Sequence, residues 1–328
     1  MKATFTYQMR CLSILFASAG LVALPWVAKS AYVQHLTIMS GLAIVLAVSN
    51  RIVLLCGAWF MGHAAFYAIG AYGLVLLRSE LGLNYWVALP LIGLVACLVA
   101  IGLGYATSRV KGMPFCIITV AFVEVVRLTI TKVEFLGGHR ALKCAPPDPI
   151  FGINFSSKIS YYYLILLMVA FTVIFLSLIE KSRVGNILKT MAENESLAES
   201  LGINTVRYRV VILSICAFFG GIAGGFYAPY VAVTGPTSFT LVTSIMILFY
   251  AVVGGVGSIW GPVVGAVFLN ILPELLPNRA SIQNILYAAI VLASLFFLPN
   301  GIIGLPKTIA TRFFVRASRG KNNERNNA

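Results

Sequence analysis

Apolar residues run along this chain in long blocks separated by short polar or basic stretches. The blocks lie near 11–28, 33–49, 53–77, 85–107, 113–131, 161–179, 210–232, 239–255, 261–276 and 282–303. A helix rises about 1.5 Å per residue, so a block of about 20 residues matches the roughly 30 Å of a hydrocarbon layer. The pieces on either side of Gly254–Pro262 are short. A broken or re-entrant segment near 254–262 is therefore open, and such backbone survives only where protein or water satisfies it. The pattern predicts an all-α, polytopic membrane protein of about ten transmembrane helices, organised as one domain over 1–328.

Composition agrees. Hydrophobic residues make up 59% of the 328 positions and charged residues 10%, against about a quarter charged in soluble domains. Residues 1–28 imitate a secretory signal, with Lys2 and Arg10 ahead of an apolar run from Cys11 to Ala28. That run is long enough to span and lacks a small-x-small cleavage site, so it is expected to stay as the first span. The net charge of +14 does not form a basic stripe with interleaved aromatics, which argues against a nucleic-acid partner. Its distribution instead sets topology. With the N-terminus inside, sixteen of the 24 Lys and Arg fall on inner segments and seven on outer ones, Arg127 lying within a span; basic loops stay in the cytoplasm. Both termini are then cytoplasmic, 131–160 is an extracytoplasmic loop, 180–209 a cytoplasmic loop and 311–328 a basic cytoplasmic tail. Six cysteines without CxxC spacing make neither a disulfide framework nor a zinc site, and no GxxxxGK[ST] phosphate loop occurs. No metal, nucleotide or other cofactor is expected.

The chemistry-bearing candidates are few. In the inner loop, Met191, Asn194, Leu197, Ala198 and Leu201 recur with one-face helical spacing up to Gly202, beside the acids Glu193, Glu195 and Glu199. This reads as a short amphipathic helix, shaped either for a groove on a cytoplasmic partner or for the bundle's own interface. Glu124 and Arg127 stand three apart within one span. They form a structural ion pair or a station on a translocation path that orients a zwitterion. His63 is either a packed residue or a path ligand. Gly220, Gly221, Gly224 and Gly225 make overlapping GxxxG pairs, and Gly254, Gly255, Gly257 and Gly261 crowd the turn region, Gly261 pairing with Gly265. Small residues at this spacing let helix backbones touch, within the bundle or at a subunit interface.

The stretch GNILKTMAENESLAESLGINTVRYRVVILSICAFFGGIAGGFYA, followed by GGVGSIWGPVVGA and FLPNGIIGL, resembles the LivM-type permease subunits of branched-chain amino-acid ABC transporters. MGHAAFYAIGAYGLVLL and ITVAFVEVVRLTIT resemble them too, and the likeness covers roughly residues 40–305. It implies a coupling helix at about Gly185–Gly202 that meets an ATPase through Glu193, Asn194, Glu195, Ala198 and Gly202. Ser196 stands where the general importer signature carries Glu. The implied partners are a second, LivH-type permease subunit, two cytoplasmic ATPase subunits, an extracytoplasmic substrate-binding protein and membrane lipid. The chain itself would be no enzyme, and ATP hydrolysis would sit on the partner chains. The implied site of action is the cytoplasmic (inner) membrane of a bacterium, and the implied cargo a small amino acid, branched-chain in this family. A permease for urea or short-chain amides is the alternative on the same architecture. An ion-coupled secondary transporter would want midplane carboxylates, and Glu124 is the one acid in a clear span. A membrane-embedded enzyme would need a catalytic cluster, whereas the three histidines lie far apart and Asp148 is the sole aspartate.

Overall fold

The computed structural model describes residues 30–304, apart from 109, 111, 137, 139–140, 151–153, 156, 276–279 and 298–300. The expected first span, 11–28, and the basic tail, 311–328, lie outside the described residues. Within them the chain is all-α, with eleven helices: α1 Ala31–Leu54, α2 His63–Ser79, α3 Tyr85–Ala106, α4 Met113–Lys132, α5 Lys158–Lys181, α6 Arg183–Glu193, α7 Glu195–Ser200, α8 Thr205–Val231, α9 Leu241–Gly254, α10 Trp260–Leu275 and α11 Ala280–Phe297. Six described segments are long and apolar enough to cross a membrane: α1, α3, α4, α5, α8 and the stretch Pro236–Gly254 that contains α9. A two-residue antiparallel ladder, β1 Leu142–Lys143 with β2 Val233–Thr234, pairs Leu142 with Thr234 and ties the 131–160 loop to the end of α8.

The bundle is built around α8, whose 27 residues reach about 40 Å. Its glycines decide how closely neighbours approach. A Cβ on Gly224 would fall on the Tyr67 carbonyl of α2, and one on Gly221 would lie 2.8 Å from the Ala96 Cβ of α3. Backbones therefore meet directly along α2–α8–α3. In lipid, where apolar burial drives no association, such close packing holds helices together. A second seam joins α9 to α10: a Cβ on Gly254 would fall on the Gly261 carbonyl, and one on Gly265 on the Tyr250 carbonyl. Between them Gly255 turns the chain at φ +110, while a side chain at Gly257 would meet open space.

The expected span 53–77 is not one helix. After α1 the chain turns at Gly57, φ +77, folds inward through the fully buried Phe60, and α2 starts only at His63. The opposite break precedes α9. Beyond β2, a 3-10 turn at Pro236–Ser238 leads to Phe239, buried among Tyr67, Tyr72 and Tyr227. The two helix starts meet inside the bundle, where the Ala64 N–H donates to the Ser244 Oγ at 2.9 Å and the Met61 N–H to the Thr119 Oγ1 at 3.3 Å. Both bonds satisfy amides at the start of α2, the first from α9 and the second from α4, in place of the preceding turn that α2 lacks. The interruptions within the bundle are thus at 55–62 and 235–240, while 255–259 is a turn between α9 and α10.

Ion pairs knit each end. Arg51, wholly buried though sequence spacing put it in a loop, lies inside α1 and forks onto Glu180 of α5 at 2.8 and 3.0 Å; its Nε donates to the Val256 carbonyl at 2.7 Å. At the other end Arg78 donates to Asp148 at 3.1 Å, and the second carboxylate oxygen of Asp148 accepts from the Tyr85 N–H at 2.7 Å, at the start of α3.

Candidate functional site: the α6–α7 unit and the polar groups of the spans

Between α5 and α8 the chain builds a compact, three-times-capped unit. The Ser182 Oγ accepts from the Val184 N–H at 3.2 Å and starts α6. Asn194, extended at φ −157 and ψ 102, stops α6 and caps α7 by accepting from the Leu197 N–H at 3.0 Å. The single helix expected over 185–202 is therefore two. Asparagine breaks it because its amide competes with the backbone and is satisfied better at a cap than inside a helix. The break shifts the helical phase, so the expected apolar face does not form. Met191 and Ala198 are buried against the bundle, whereas Leu197 and Leu201 are exposed at 53% and 68%.

α7 closes in a Schellman turn. The Gly202 N–H donates to the Glu199 carbonyl at 2.9 Å and the Ile203 N–H to the Ala198 carbonyl at 3.1 Å, with Gly202 at φ +82. Glycine reaches this region without the Cβ clash other residues meet. Two side-chain bonds then clamp α7 to α8. The Glu195 Oε1 accepts from the Arg209 Nη2 at 2.7 Å, and the Glu199 Oε1 from the Thr205 Oγ1 at 2.9 Å. Of the three acids read as one face, Glu195 turns to the bundle, Glu199 reaches α8 and Glu193 stays exposed. A cavity of about 200 Å³ beside the clamp is lined by Cys56, Gly57, Gly112, Met191, Glu195 and Arg209.

Inside the spans, the Glu124 Oε2 accepts from the Arg127 Nε at 2.8 Å and lies 2.7 Å from its Nη2. α4 leans on α2 through Val123, packed on Ala64 and Ala65, and through Phe122, 5.6 Å from the Phe66 ring. Phe115, Thr119, Ile130 and Thr131 are buried on the same helix, while Ile117, Ala121, Val125 and Leu128 are exposed. His63 is elsewhere and fully buried: its Nε2 is 3.0 Å from the Ser49 Oγ and its Nδ1 3.2 Å from the Cys216 Sγ. The structure does not bring His63 into contact with the Glu124–Arg127 pair. Gly220 borders the His63 ring.

Sequence reasoning missed the Arg51–Glu180 and Arg209–Glu195 pairs, whose partners stand 129 and 14 residues apart. A single arginine in the short gap between two long apolar runs, as Arg51 is, was the available signal. Asn50 was missed too: it is wholly buried and neither amide atom has a partner among the described residues.

A bundle of apolar helices with broken spans, ion pairs at both ends and a capped unit beside one of them is the architecture of a polytopic membrane protein. Residues 32–298 match the family described as branched-chain amino acid transport system permease component, and the chain belongs to that family. It is 28% identical to the high-affinity branched-chain amino acid transport system permease protein LivM of Salmonella typhimurium, over 87% of this chain and 73% of that one. It is 30% identical to the Escherichia coli permease protein LivH over 47% of this chain and 51% of that one. A guanosine ABC transporter permease, NupQ of Bacillus subtilis, is 30% identical over 42% of this chain and 44% of that one.

Proposed function

We propose that this chain is one of two permease subunits of an ATP-binding-cassette importer, carrying branched-chain amino acids across the cytoplasmic membrane of a bacterium. It spans about ten times with both termini inside, beside a LivH-like permease, two ATPases and an extracytoplasmic binding protein. The observation that carries this reading is the α6–α7 unit. It projects exposed Leu197, Leu201 and Glu193 from the basic end of the bundle while Glu195 and Glu199 anchor it to α8. With no phosphate loop of its own, the chain takes its energy from an ATPase seated on that unit.

Mechanically, displacement of α7 passes through Arg209 and Thr205 to α8, and α2 and α3 ride on α8 through glycine contacts. Rigid elements with short cross-links are what a closure motion needs to travel from an ATPase into a membrane bundle. Family membership and the likeness to LivM support the cargo class. The test is expression of the chain with its partner subunits, reading ATPase co-purification and uptake of labelled leucine. Leu197→Asp with Leu201→Asp should abolish both while leaving the permease pair assembled. Retention of both by the double variant removes the ATPase from this surface. Competition by unlabelled urea or guanosine, in place of leucine and valine, would move the cargo class.

A further inference from the structure

Glu124 sits eleven residues from the start of α4 and eight from its end, so about 16 Å and 12 Å from either surface of the span. Arg127 is one turn nearer the 131–160 loop. At that depth charges on a partly exposed face are costly in lipid, and ionisable groups within spans commonly face protein or a water-filled cavity. Yet they are not buried: the two side chains keep 38% and 31% of their exposure. Their mutual bond uses a single carboxylate oxygen, Oε2, with the arginine Nε and Nη2. Among the described residues neither the Glu124 Oε1 nor the Arg127 Nη1 has a partner.

We infer that this pair is the intramembrane station for the backbone of a free α-amino acid, on a face of α4 turned to the aqueous path between this chain and the second permease. The substrate ammonium meets the Glu124 Oε1 and its carboxylate meets the Arg127 Nη1, closing a ring of four alternating charges. A zwitterion is the ligand that fits, because it brings both signs at the spacing of one carbon and leaves the site neutral. A carboxylate or an amine alone would leave one charge uncompensated at the centre of the membrane. Ala121 and Leu128, at i−3 and i+4 of Glu124, and Ile117, at i−7, lie on the same exposed stripe and give the branched side chain an apolar wall. Release needs no chemistry: the Oε2 bond keeps the pair closed between passages, so the empty site does not strand two ions.

This inference rests on the permease reading, and the experiment separates the two. The complete transporter is reconstituted in proteoliposomes with Glu124→Gln, Arg127→Met, the double variant and Arg127→Lys. Three quantities are read: yield of assembled complex, ATP hydrolysis stimulated by loaded binding protein, and leucine delivered per ATP. Each neutral single variant should lower the yield, and the double variant should restore it, since no lone charge remains. Leucine per ATP should fall about tenfold or more in all three, the loss of one charged hydrogen bond, with stimulated hydrolysis kept within about twofold. Arg127→Lys should retain part of the transport. Recovery of leucine per ATP in the double variant overturns the inference, because the pair is then structural. Loss of stimulated hydrolysis in a double variant that assembles also overturns it, since the pair would then act in coupling. Failure of the unaltered transporter to take up leucine overturns the permease reading and this site with it.

Discussion

Replacing Glu195 by Gln tests whether the clamp between α7 and α8 carries force. The change removes one charge and almost no volume, and leaves Arg209 buried at 7% exposure with an Nε that already lacks an acceptor among the described residues. At an effective dielectric constant near 20, two charges about 4 Å apart attract by about 4 kcal/mol. Stranding one partner of a buried pair costs about 3–5 kcal/mol, because the remaining ion stays desolvated. The Thr205–Glu199 bond and the Schellman turn remain, so the helix should persist while its attachment loosens. A penalty of about 3 kcal/mol corresponds to more than a hundredfold in the opening equilibrium. Hydrogen exchange of the peptide over 194–205, measured in nanodiscs, should accelerate by about that factor, with α3 and α5 unchanged. Leucine uptake should fall while ATPase binding survives, since Leu197 and Leu201 are untouched. Adding Arg209→Met should return exchange toward the starting rate. Exchange within about threefold of the unaltered protein in Glu195→Gln would refute the clamp, and with it the route from ATPase to α8.

Other expectations follow from single positions. Gly202→Val places a β-branched residue at φ +82, a strain of about 1–3 kcal/mol; ATPase co-purification should drop while membrane insertion holds. Gly254→Ala drives a methyl onto the Gly261 carbonyl, where backbone cannot yield, so an overpacking cost of about 1–3 kcal/mol should appear as a lower melting temperature in size-exclusion scanning. In a cysteine-free background, Lys143→Cys should be labelled from outside by an impermeant maleimide and Ser196→Cys only from inside; labelling of both from one side contradicts the topology. Burial pushes the Cys144 thiol up, against the pull of the Arg78 guanidinium. A raised thiol holds less thiolate at a given pH, so its alkylation should lag an exposed cysteine at pH 7.5 and catch up only at higher pH.

Much of the helix layout was legible because lipid imposes a simple rule: backbone bonds must close within the segment, so apolar length reads directly as helix. The glycine pairs were legible for a related reason, as small residues at four-residue spacing mean close backbones. Gly202 read correctly as a helix end because one glycine after an amphipathic run leaves few other roles. The Glu124–Arg127 bond was visible in their i, i+3 spacing. What did not read was anything set by tertiary partners. The 53–77 run is apolar apart from His63, and the partners Thr119 and Ser244, far away in sequence, make a break at 55–62 tolerable. Arg51 looked like a loop residue because the carboxylate that permits its burial, Glu180, lies on another helix. The α6–α7 break turned on Asn194, whose capping geometry competes with a periodicity that otherwise runs straight through it.

The meeting of two truncated helices inside the bundle also bears on how the chain is made. α2 has 17 residues and α9 has 14, about 25 Å and 21 Å, so neither fills the hydrocarbon thickness alone and each leaves unsatisfied amides at its inner start. A ribosome delivering α2 to the membrane presents it about 180 residues before the serine that will accept its Ala64 amide exists. Until then the 55–62 segment must shelter against α1 and later α4, or wait beside the insertion machinery. Biogenesis is therefore not a simple sequence of independent insertions. The arrival of α9 supplies the serine that the start of α2 lacks, and α10, made after it, then packs onto α9 along the glycine seam.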